Sequence, residues 1–240
     1  LKKREYADSN TLTVGGRPMK VFQDGQNDIG IHGRNEYRRT LYSFFKYCKM
    51  QDWLDVNPVE KVESWRIRGK TPEIFTPEEV QKILNSTPPQ SEIRAYAAIA
   101  AFTGIRNAEM KRLTWDKIKL DDREIILDSE ITKTASRRVV KIPENLAKWL
   151  EPYAWELGTK KKVLSKSQSL QIKKIHNALG NGNWVKNGFR HSAATYYLAL
   201  TKNAYLTAEQ MGHAVDVLKQ HYNGLAREKD AIRYFNIMPE

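Results

Sequence analysis

Five short motifs in the sequence each carry a cation, an imidazole or a hydroxyl suited to a phosphate group. Two of them contain an arginine, whose guanidinium is always charged and can bind two oxygens at once. The residues are Arg106, Lys133, Arg190, His213 and Tyr222. Taken singly, each motif can equally be a surface ion pair or a solvated turn, so their surroundings have to decide between these interpretations.

The residues next to the two arginines indicate how the chain would present them. Gly104 permits a sharp exit from one helix, so Arg106 begins the next helix and Glu109 follows one turn later. A carboxylate at that spacing can brace the guanidinium. Arg190 lies one turn from the start of a helix, where the positive end of the helix dipole favours an anion. Both arginines are therefore predicted to lie at helix beginnings.

The other three groups are predicted to lie in turns or at helix ends. Nine residues separate His213 from Tyr222, and on one continuous helix the two side chains would face apart. Gly212 interrupts the helix, so the histidine can lie in a turn while the tyrosine comes from the next element. Lys133, in a Thr-Lys-Thr sequence, is predicted at the tip of a hairpin.

The charge balance points to a polyanionic partner. The 240 residues include 40 Lys and Arg against 28 Asp and Glu, a formal net charge of +12. This excess favours nucleic acid first and an anionic membrane second. The longest apolar run, residues 96–102, is far below the roughly 20 residues of a spanning helix, and no secretory signal pattern opens the sequence. No membrane partner is expected.

Cysteine usage and metal-ligand spacing argue against disulfide and zinc scaffolds. Cys48 is the single cysteine, which excludes an intrachain disulfide framework and favours a reducing, cytoplasmic location. The sequence has no His-x-x-x-His pair, no acidic metal cluster and no phosphate-binding glycine loop. We therefore predict neither a metal nor another cofactor.

Composition divides the chain into two domains, residues 1–70 and 71–240. The first 33 residues are rich in glycine and are predicted to be irregular. A helix is predicted over residues 35–50, and residues 63–71 are expected to form a basic linker. The apolar face of that helix has the spacing i, i+3, i+4 and i+7 and consists of Leu41, Phe44, Phe45 and Cys48.

The second domain is predicted to be mainly helical with one small antiparallel sheet. Thr76, Pro77 and Glu79 form the pattern of a capping box at the start of a helix. An alanine-rich helix is expected over residues 91–103, a hairpin over residues 118–127 and a third strand over residues 138–142. Helices are then expected over residues 143–153, 167–179, 187–200, 207–211, 215–223 and 228–236, with Thr207 and Gln210 capping the fourth.

Taken together, these motifs resemble the tyrosine recombinase (phage integrase) family. The chain contains Thr-Gly-Ile-Arg-x-x-Glu-x-x-x-Leu-x-Trp, Thr-Lys-Thr, Arg-His-Ser-x-Ala-Thr, Gly-His and a final tyrosine, in that order. The resemblance covers residues 71–236 and implies the catalytic fold of that family. With less specificity, residues 35–58 resemble the end of its helical core-binding domain, so the first domain is expected to be a partial DNA-binding domain.

The resemblance implies a role for each residue. Tyr222 would be the nucleophile and would form a 3'-phosphotyrosine bond, leaving a free 5'-hydroxyl. Arg106 and Arg190 would hold the phosphate and stabilise the charge of the transition state. Lys133 would be the general acid, and His213 would donate a hydrogen bond to a phosphate oxygen. Glu109 would orient the arginines, and His191 would support the site structurally. Neither ATP nor a metal is required, because the covalent bond stores the phosphodiester energy.

One position departs from the family pattern. Three residues before the second arginine the family usually has histidine, or sometimes lysine, but this chain has Asn187. Asparagine can hydrogen-bond a phosphate oxygen yet cannot shuttle a proton. Either activity is reduced or rests more on Lys133 and His213, or Asn187 is natural to a subgroup. We favour the last interpretation, because the other positions are intact.

The expected partner is double-stranded DNA at attachment sites. A bacterium, phage or mobile element would encode the protein, which is expected in the cytoplasm in association with the nucleoid and could be a monomer when free of DNA. A homotetramer would act on two duplexes through a Holliday junction, and the last helix could dock on a neighbouring protomer. The cations predicted to contact DNA are Arg38, Arg39, Arg66, Arg68, Lys70, Arg137 and Arg138.

Two other functions stay open from the sequence. A type IB topoisomerase-like enzyme would share the nucleophile chemistry but relax supercoils as a monomer. A catalytically silent or weakened DNA-binding protein is favoured only by Asn187.

Overall fold

The protein is described here by a computed structural model, which covers residues 11–14, 17–20, 30–65, 71–131, 137–164, 176–177 and 184–240. The chain divides into two compact units, residues 1–69 and 70–240. The described residues of the five motifs all lie in the second unit. No helix in the described part of the chain has the length and apolarity that crossing a membrane requires.

The first unit contains a β-hairpin and a long helix. Strands β1 (Thr11–Val14) and β2 (Arg17–Lys20) pair antiparallel, and helix α1 spans Ile31–Met50. The prediction of an irregular start is therefore wrong for these strands, and the helix begins four residues earlier than predicted. The sequence between the strands is Gly-Gly, a pair that favours tight hairpin turns. The glycines in this part of the sequence therefore indicate hairpin turns as well as irregular backbone.

The apolar face predicted for α1 is only partly covered within this unit. Cys48 is buried, whereas Leu41 and Phe44 are about half exposed, at 47% and 56%. The chain after α1 folds back along the helix, because the Asn35 side chain exchanges two hydrogen bonds with the backbone of Trp65, at 2.8 and 2.9 Å. Hydrogen bonds of this kind, from a side chain to the backbone, hold the segment against the helix without burying the whole apolar face.

Among its described residues, the second unit is helical with one three-stranded antiparallel sheet, so the predicted fold class is confirmed. The strands are β3 (Ile118–Lys119), β4 (Glu124–Leu127) and β5 (Arg138–Lys141), in the order β3-β4-β5. The helices are α2 (Pro77–Asn85), α3 (Glu92–Thr103), α4 (Asn107–Met110), α5 (Glu144–Leu150), α6 (Gly188–Thr201), α7 (Ala204–Met211), α8 (Val215–His221) and α9 (Glu228–Phe235). Short 3-10 turns span Trp115–Lys117 and Glu151–Glu156.

Two of the predicted helix boundaries show how well capping can be read from sequence. The Thr76 hydroxyl accepts from the Glu79 amide at 3.2 Å, and the Glu79 carboxylate accepts from the Thr76 amide at 2.8 Å, as a capping box requires. Helix α7, in contrast, begins earlier than predicted, and its cap is Asn203 rather than Thr207. The Asn203 side chain satisfies two backbone amides, while Thr207 is buried within the helix.

Helix α7 is joined to the sheet by a side chain. Gln210 accepts from the backbone amide of Lys141 at 3.0 Å and donates to its carbonyl at 2.8 Å. The amide of Gln210 therefore pairs with the free edge of β5 as a neighbouring strand would. This contact holds the end of α7 next to β5. Arg138 lies on β5, and Gly212 and His213 directly follow α7.

The C-terminal helix completes the core of its own unit. Tyr234 is fully buried, donates its hydroxyl proton to the Ala101 carbonyl at 2.7 Å and stacks on Tyr196 with ring centroids 4.3 Å apart. Beyond the helix, the Ile237 carbonyl accepts from the Trp149 indole at 3.0 Å. Docking of this helix on a neighbouring protomer would require these contacts to be exchanged.

Replacing Tyr234 by alanine is expected to lower the free energy of unfolding by about 3–5 kcal/mol, because a large buried ring and a hydrogen bond are lost. The matched control is Tyr205→Ala, since Tyr205 is 71% exposed and its removal should change stability by only about 0.5 kcal/mol. Urea denaturation followed by circular dichroism measures both. Equal stability of the two variants would contradict the docking of α9 within its own unit.

Candidate active site

A buried carboxylate, Glu109, organises the candidate site. Its two oxygens accept from both terminal nitrogens of Arg138 at 2.9 and 2.8 Å. One oxygen also accepts from the Arg106 guanidinium at 3.0 Å, and the other from the Arg106 backbone amide at 3.1 Å. The Glu109 side chain is 1% exposed. One carboxylate therefore fixes two guanidiniums from different parts of the fold.

Glu109 is held in its ionised form. Burial by itself would raise the pKa of this carboxyl, but the hydrogen bonds and charge of Arg138, followed by the hydrogen bonds from Arg106, outweigh burial and lower the pKa. The charged carboxylate is the form that can accept all four hydrogen bonds. The sequence predicted Glu109 as a brace for Arg106, and the structure places the two in contact.

Arg106 bridges this carboxylate and the turn after α7. Its second terminal nitrogen donates to the Gly212 carbonyl. Gly212 has φ +62°, and a β-carbon at this position would lie 2.9 Å from the guanidinium carbon of Arg138 and 3.0 Å from a nitrogen of Arg106. Glycine is therefore required twice, once for its left-handed backbone and once because the two guanidiniums occupy the space of a side chain.

Arg190 approaches the same region from the first turn of α6. One of its terminal nitrogens donates to the carbonyl of Gly104, the residue that ends α3 with φ +63°. The other terminal nitrogen is buried and has no hydrogen-bond partner within the described residues. Burial, and then the charge of Arg106, lowers the pKa of Arg190 to about 10, so the guanidinium stays charged at neutral pH.

His213 lies directly after Gly212 and is neutral. Burial lowers its pKa first, and the charges of Arg190 and Arg106 lower it further, to about 3. Its Nδ1 atom is buried and, like the free nitrogen of Arg190, has no hydrogen-bond partner among the described residues. Buried polar groups without partners are uncommon in proteins and often mark binding sites.

The charges of this cluster do not cancel. The guanidiniums of Arg106, Arg138 and Arg190 carry three positive charges against the one negative charge of Glu109, so a net charge of +2 remains around a neutral His213. Together with the unpartnered buried nitrogens of Arg138, Arg190 and His213, this excess gives the site the properties of an anion-binding site.

Tyr222 ends helix α8 and is 4% exposed. Its hydroxyl lies 2.8 Å from Nδ1 of His191, and its ring lies against the ring of His213 with centroids 5.5 Å apart. Burial raises the pKa of Tyr222, and the charge of Arg190 opposes that shift only in part. The phenol is therefore protonated at neutral pH and needs help to react as a nucleophile.

A cavity of about 540 Å³ opens beside Tyr222. The rings of His191 and Tyr222 line it, together with Glu73, Lys186 and His221 and several apolar residues. The hydroxyl of Tyr222 and the imidazole that contacts it are thus next to a space large enough for several water molecules.

The structure brings together six of the eight residues that were predicted to be catalytic or supporting. Within the second unit these are Arg106, Glu109, Arg190, His191, His213 and Tyr222. Asn187 is at the start of α6, where it is exposed, has φ +59° and makes no side-chain cap hydrogen bond. Lys133 lies outside the described residues. The catalytic role of each of these residues stays a prediction.

The cations predicted to contact DNA lie in several environments. Arg39 pairs with Glu36 on the exposed side of α1, and Arg38 donates to the Val62 carbonyl. Arg137 is 67% exposed and lies 3.8 Å from Asp128. Arg66, Arg68 and Lys70 lie outside the described residues.

Arg138 has a role in the structure that the sequence analysis missed. It is predicted as a DNA contact, but both of its terminal nitrogens bind Glu109 and its side chain is only 14% exposed. The sequence could have predicted that the Arg138 side chain points inward. Alternate residues of a strand lie on the same face, and Arg138 shares its face with the buried Val140. The contact between His191 and Tyr222 had no comparable signal.

A metal site is not apparent in the described part of the chain, which contains no group of three or more His, Cys, Asp or Glu side chains able to hold an ion. The cations of the site are its arginines.

Comparison with known proteins gives a consistent assignment. The model of the phage integrase family matches residues 73–229. A tyrosine recombinase of Thermosipho africanus is 26% identical over 195 residues, which are 75% of this chain and 66% of the relative. The chain thus spans slightly less than two thirds of that relative's length.

Solved structures share the fold. The crystal structure of XerA recombinase has a TM-score of 0.56 at 19% identity, over 88% of this chain and 84% of that one. The crystal structure of a lambda integrase tetramer bound to a Holliday junction has a TM-score of 0.60 at 15% identity, over 82% of this chain and 61% of that one.

Replacing Glu109 by glutamine is expected to lower the free energy of unfolding by about 3–5 kcal/mol at pH 7, because two partly buried guanidiniums lose their buried counter-charge. The folded-state pKa of Glu109 lies below its ordinary value of 4.5, so the carboxylate stabilises the fold above that pH and its contribution is lost as pH falls through the folded pKa. The difference between wild type and variant should therefore shrink below about pH 4.5. Urea denaturation between pH 7 and pH 3 measures it.

The matched control for this variant is Glu151→Gln. Glu151 also pairs with a cation, Lys148, but is 57% exposed, and such surface pairs contribute only about 0.2–1 kcal/mol. If both variants lose the same small amount of stability, Glu109 does not organise the site.

Proposed function

This chain belongs to the phage integrase family, and we propose that it is a site-specific DNA recombinase that cuts and rejoins strands through a 3'-phosphotyrosyl intermediate. The single observation that supports this function best is the convergence of charge and nucleophile. A +2 cluster of guanidiniums and a buried phenol lie in one site, with His213 in ring contact with the phenol.

The cluster matches what cleavage of a phosphodiester demands. The phosphate carries one negative charge and gains another in the transition state. The site must therefore bind the phosphate and stabilise the additional charge as it develops. In our proposal Arg106 and Arg190 bind the non-bridging oxygens, and the unpartnered nitrogen of Arg190 supplies one of the hydrogen bonds. Glu109 and Arg138 position Arg106 and do not contact DNA.

His213 acts in this proposal as a neutral hydrogen-bond donor. Its low pKa means that it adds no further charge beside the two arginines, yet a ring nitrogen can still donate to a phosphate oxygen in the appropriate tautomer. Its unpartnered Nδ1 atom is consistent with a partner supplied by the substrate.

The proposed reaction is a transesterification. The Tyr222 oxygen attacks phosphorus as the bond to the 5'-oxygen breaks, and Lys133 gives its proton to the departing oxygen. The phosphotyrosyl bond conserves the energy of the phosphodiester, so a 5'-hydroxyl can reverse the step without ATP. Asn187 contributes at most a hydrogen bond in this scheme, since an amide does not accept a proton.

Assembly and location belong to the same proposal. One solved structure with this fold is a tetramer bound to a Holliday junction, and we infer a homotetramer on two duplexes for this protein as well. Net charge +12 and exposed cations such as Arg39 and Arg137 suit a clamp on duplex DNA. Such a protein would act in the cytoplasm, associated with the nucleoid.

A DNA substrate nicked near its cleavage position tests the nucleophile, because loss of the short fragment beyond the nick traps the covalent adduct. Wild type should accumulate an adduct at Tyr222, and Tyr222→Phe should form none because the attacking oxygen is missing. Gel electrophoresis of the denatured complex measures the adduct. The control Tyr205→Phe removes an exposed hydroxyl and should react as wild type does.

The outcomes of this experiment separate the three functions. An adduct in Tyr222→Phe contradicts the nucleophile assignment, and no adduct with any variant favours a silent DNA-binding protein. If the adduct forms, two marked duplexes and a supercoiled plasmid are compared. Strand exchange between the duplexes supports recombination, while relaxation without exchange supports a topoisomerase.

The contribution of Arg137 to DNA affinity is expected to be electrostatic. Replacing Arg137 by alanine should weaken binding at every sequence and reduce the slope of log affinity against log salt by about 1, since one phosphate contact is lost. Fluorescence anisotropy between about 50 and 300 mM salt measures this slope. The control is Arg123→Ala, because Arg123 already pairs with Glu144 at 2.9 Å. An equal change of the salt slope in both variants would contradict a specific contact by Arg137.

A further inference from the structure

The hydrogen bond between His191 and Tyr222 joins two residues that are 31 positions apart in sequence, with 2.8 Å between Nδ1 and the phenol oxygen. We propose that His191 is the base that accepts the proton of Tyr222 during strand cleavage. The inference rests on the proposed function, because it presupposes that Tyr222 is the nucleophile. It gives His191 a catalytic role in place of the structural one expected from the sequence.

The proposal assigns a direction to this hydrogen bond. In our proposal the protonated phenol donates to Nδ1 of His191, which requires the tautomer with the ring proton on Nε2. The two rings are inclined by 36° with centroids 5.8 Å apart, so they are not stacked face to face. A proton can pass along this contact without movement of either side chain.

The other groups near Tyr222 are poor candidates for a base. The His213 ring lies beside the phenol ring, at 28° between planes, and no hydrogen bond joins the two within the described residues. Arg190 has no lone pair to accept a proton. Asn187, at the position where the family pattern predicts histidine, is an exposed amide at the start of α6.

The charge states agree with the geometry. Burial first, and then the charges of Arg190 and His221, lower the pKa of His191, so its imidazole is neutral at pH 7 and one ring nitrogen has a free lone pair. Burial raises the pKa of Tyr222, so the phenol does not ionise by itself. A neutral base in contact with a protonated nucleophile is the arrangement that general base catalysis needs.

The proton count closes over one cycle. In cleavage the bond from the Tyr222 oxygen to phosphorus forms, the bond to the 5'-oxygen breaks, and the phenolic proton moves to Nδ1 of His191. The 5'-oxygen takes its proton from Lys133. In rejoining the 5'-hydroxyl attacks, its proton returns to Lys133, and His191 returns a proton to the tyrosine oxygen. The imidazolium formed beside Arg190 is balanced by the additional negative charge of the transition state.

The decisive variant is His191→Asn. The asparagine oxygen can take the place of Nδ1 as a hydrogen-bond acceptor, so Tyr222 keeps a partner, but an amide cannot accept the proton. Single-turnover cleavage of the nicked substrate should slow by about 10²–10⁴-fold, the usual contribution of a general base. DNA affinity, measured by anisotropy, should be unchanged.

His221→Gln is the matched control, since His221 lines the same cavity and precedes Tyr222 directly. Its rate should stay within about threefold of wild type, far less than the effect of a general base. A loss in this variant as large as in His191→Asn would contradict a specific role of His191.

A pH profile separates a base from a merely structural contact. The charged or titratable groups facing His191 are Arg190, His221 and Tyr222, with Glu73 and Lys186 across the cavity and His213 beyond Tyr222. In wild type the logarithm of the rate should fall with unit slope below the pKa of His191. In His191→Asn this fall of the rate at low pH should disappear. In a second variant, His191→Ala, imidazole added to the buffer should restore part of the cleavage rate.

Three results would overturn the proposal. The first is a His191→Asn rate within about threefold of wild type, since a base contributes far more. The second is a cleavage rate of His191→Asn that returns to the wild-type value on DNA in which sulfur replaces the 5'-oxygen. A thiol has a pKa of about 8.5, so a thiolate can leave without a proton from an acid. Such recovery would place His191 at the leaving group. The third is a wild-type pH profile in which the cleavage rate does not fall at low pH. This result decides the question even if the variants do not fold.

Failure of the inference is distinguishable from failure of the proposed function. If wild type forms no adduct, the proposed function is wrong and the inference falls with it. If wild type forms the adduct at Tyr222 while His191→Asn keeps the rate and the pH profile, the inference alone is wrong.

Discussion

The candidate site depends on one constraint, which is that the Glu109 carboxylate must stay charged inside the protein. A buried charge is tolerated only when it is paired and fully hydrogen-bonded. Arg138 and Arg106 meet that requirement together, with four hydrogen bonds to the two carboxylate oxygens. The same contacts determine where both guanidiniums lie. Removal of Glu109 leaves two guanidiniums without a counter-charge, and removal of either arginine leaves carboxylate hydrogen bonds unmade, so the effects of substitutions here should not be additive.

The fold supplies the rest of the site through helix ends and turns. Two backbone carbonyls, those of Gly104 and Gly212, accept from Arg190 and Arg106 at points where left-handed glycines end α3 and α7. The side chain of Gln210 holds α7 against the edge of the sheet. The site is therefore positioned by chain reversals on rigid elements, which is a common way to place functional groups precisely.

Local signals predicted the elements well and their edges less well. The capping box at Thr76 and the strand at residues 138–141 follow from short-range patterns, and both are found. The start of α7 was misplaced because Thr207 and Gln210 imitate a capping box, although Asn203 caps the helix and Gln210 bonds to the sheet. A capping residue competes with its neighbours for the same amides, and tertiary contacts decide which one wins.

The sequence by itself determined the family, the fold class and the types of group in the site, because these depend on residue identity, order and local periodicity. The tertiary structure alone decided how those groups are partnered. It turned Arg138 inward onto Glu109 and brought His191 to the hydroxyl of Tyr222. Both contacts join residues far apart in the chain, 29 and 31 positions. No local pattern specifies such pairs, because they form only when separate elements pack together.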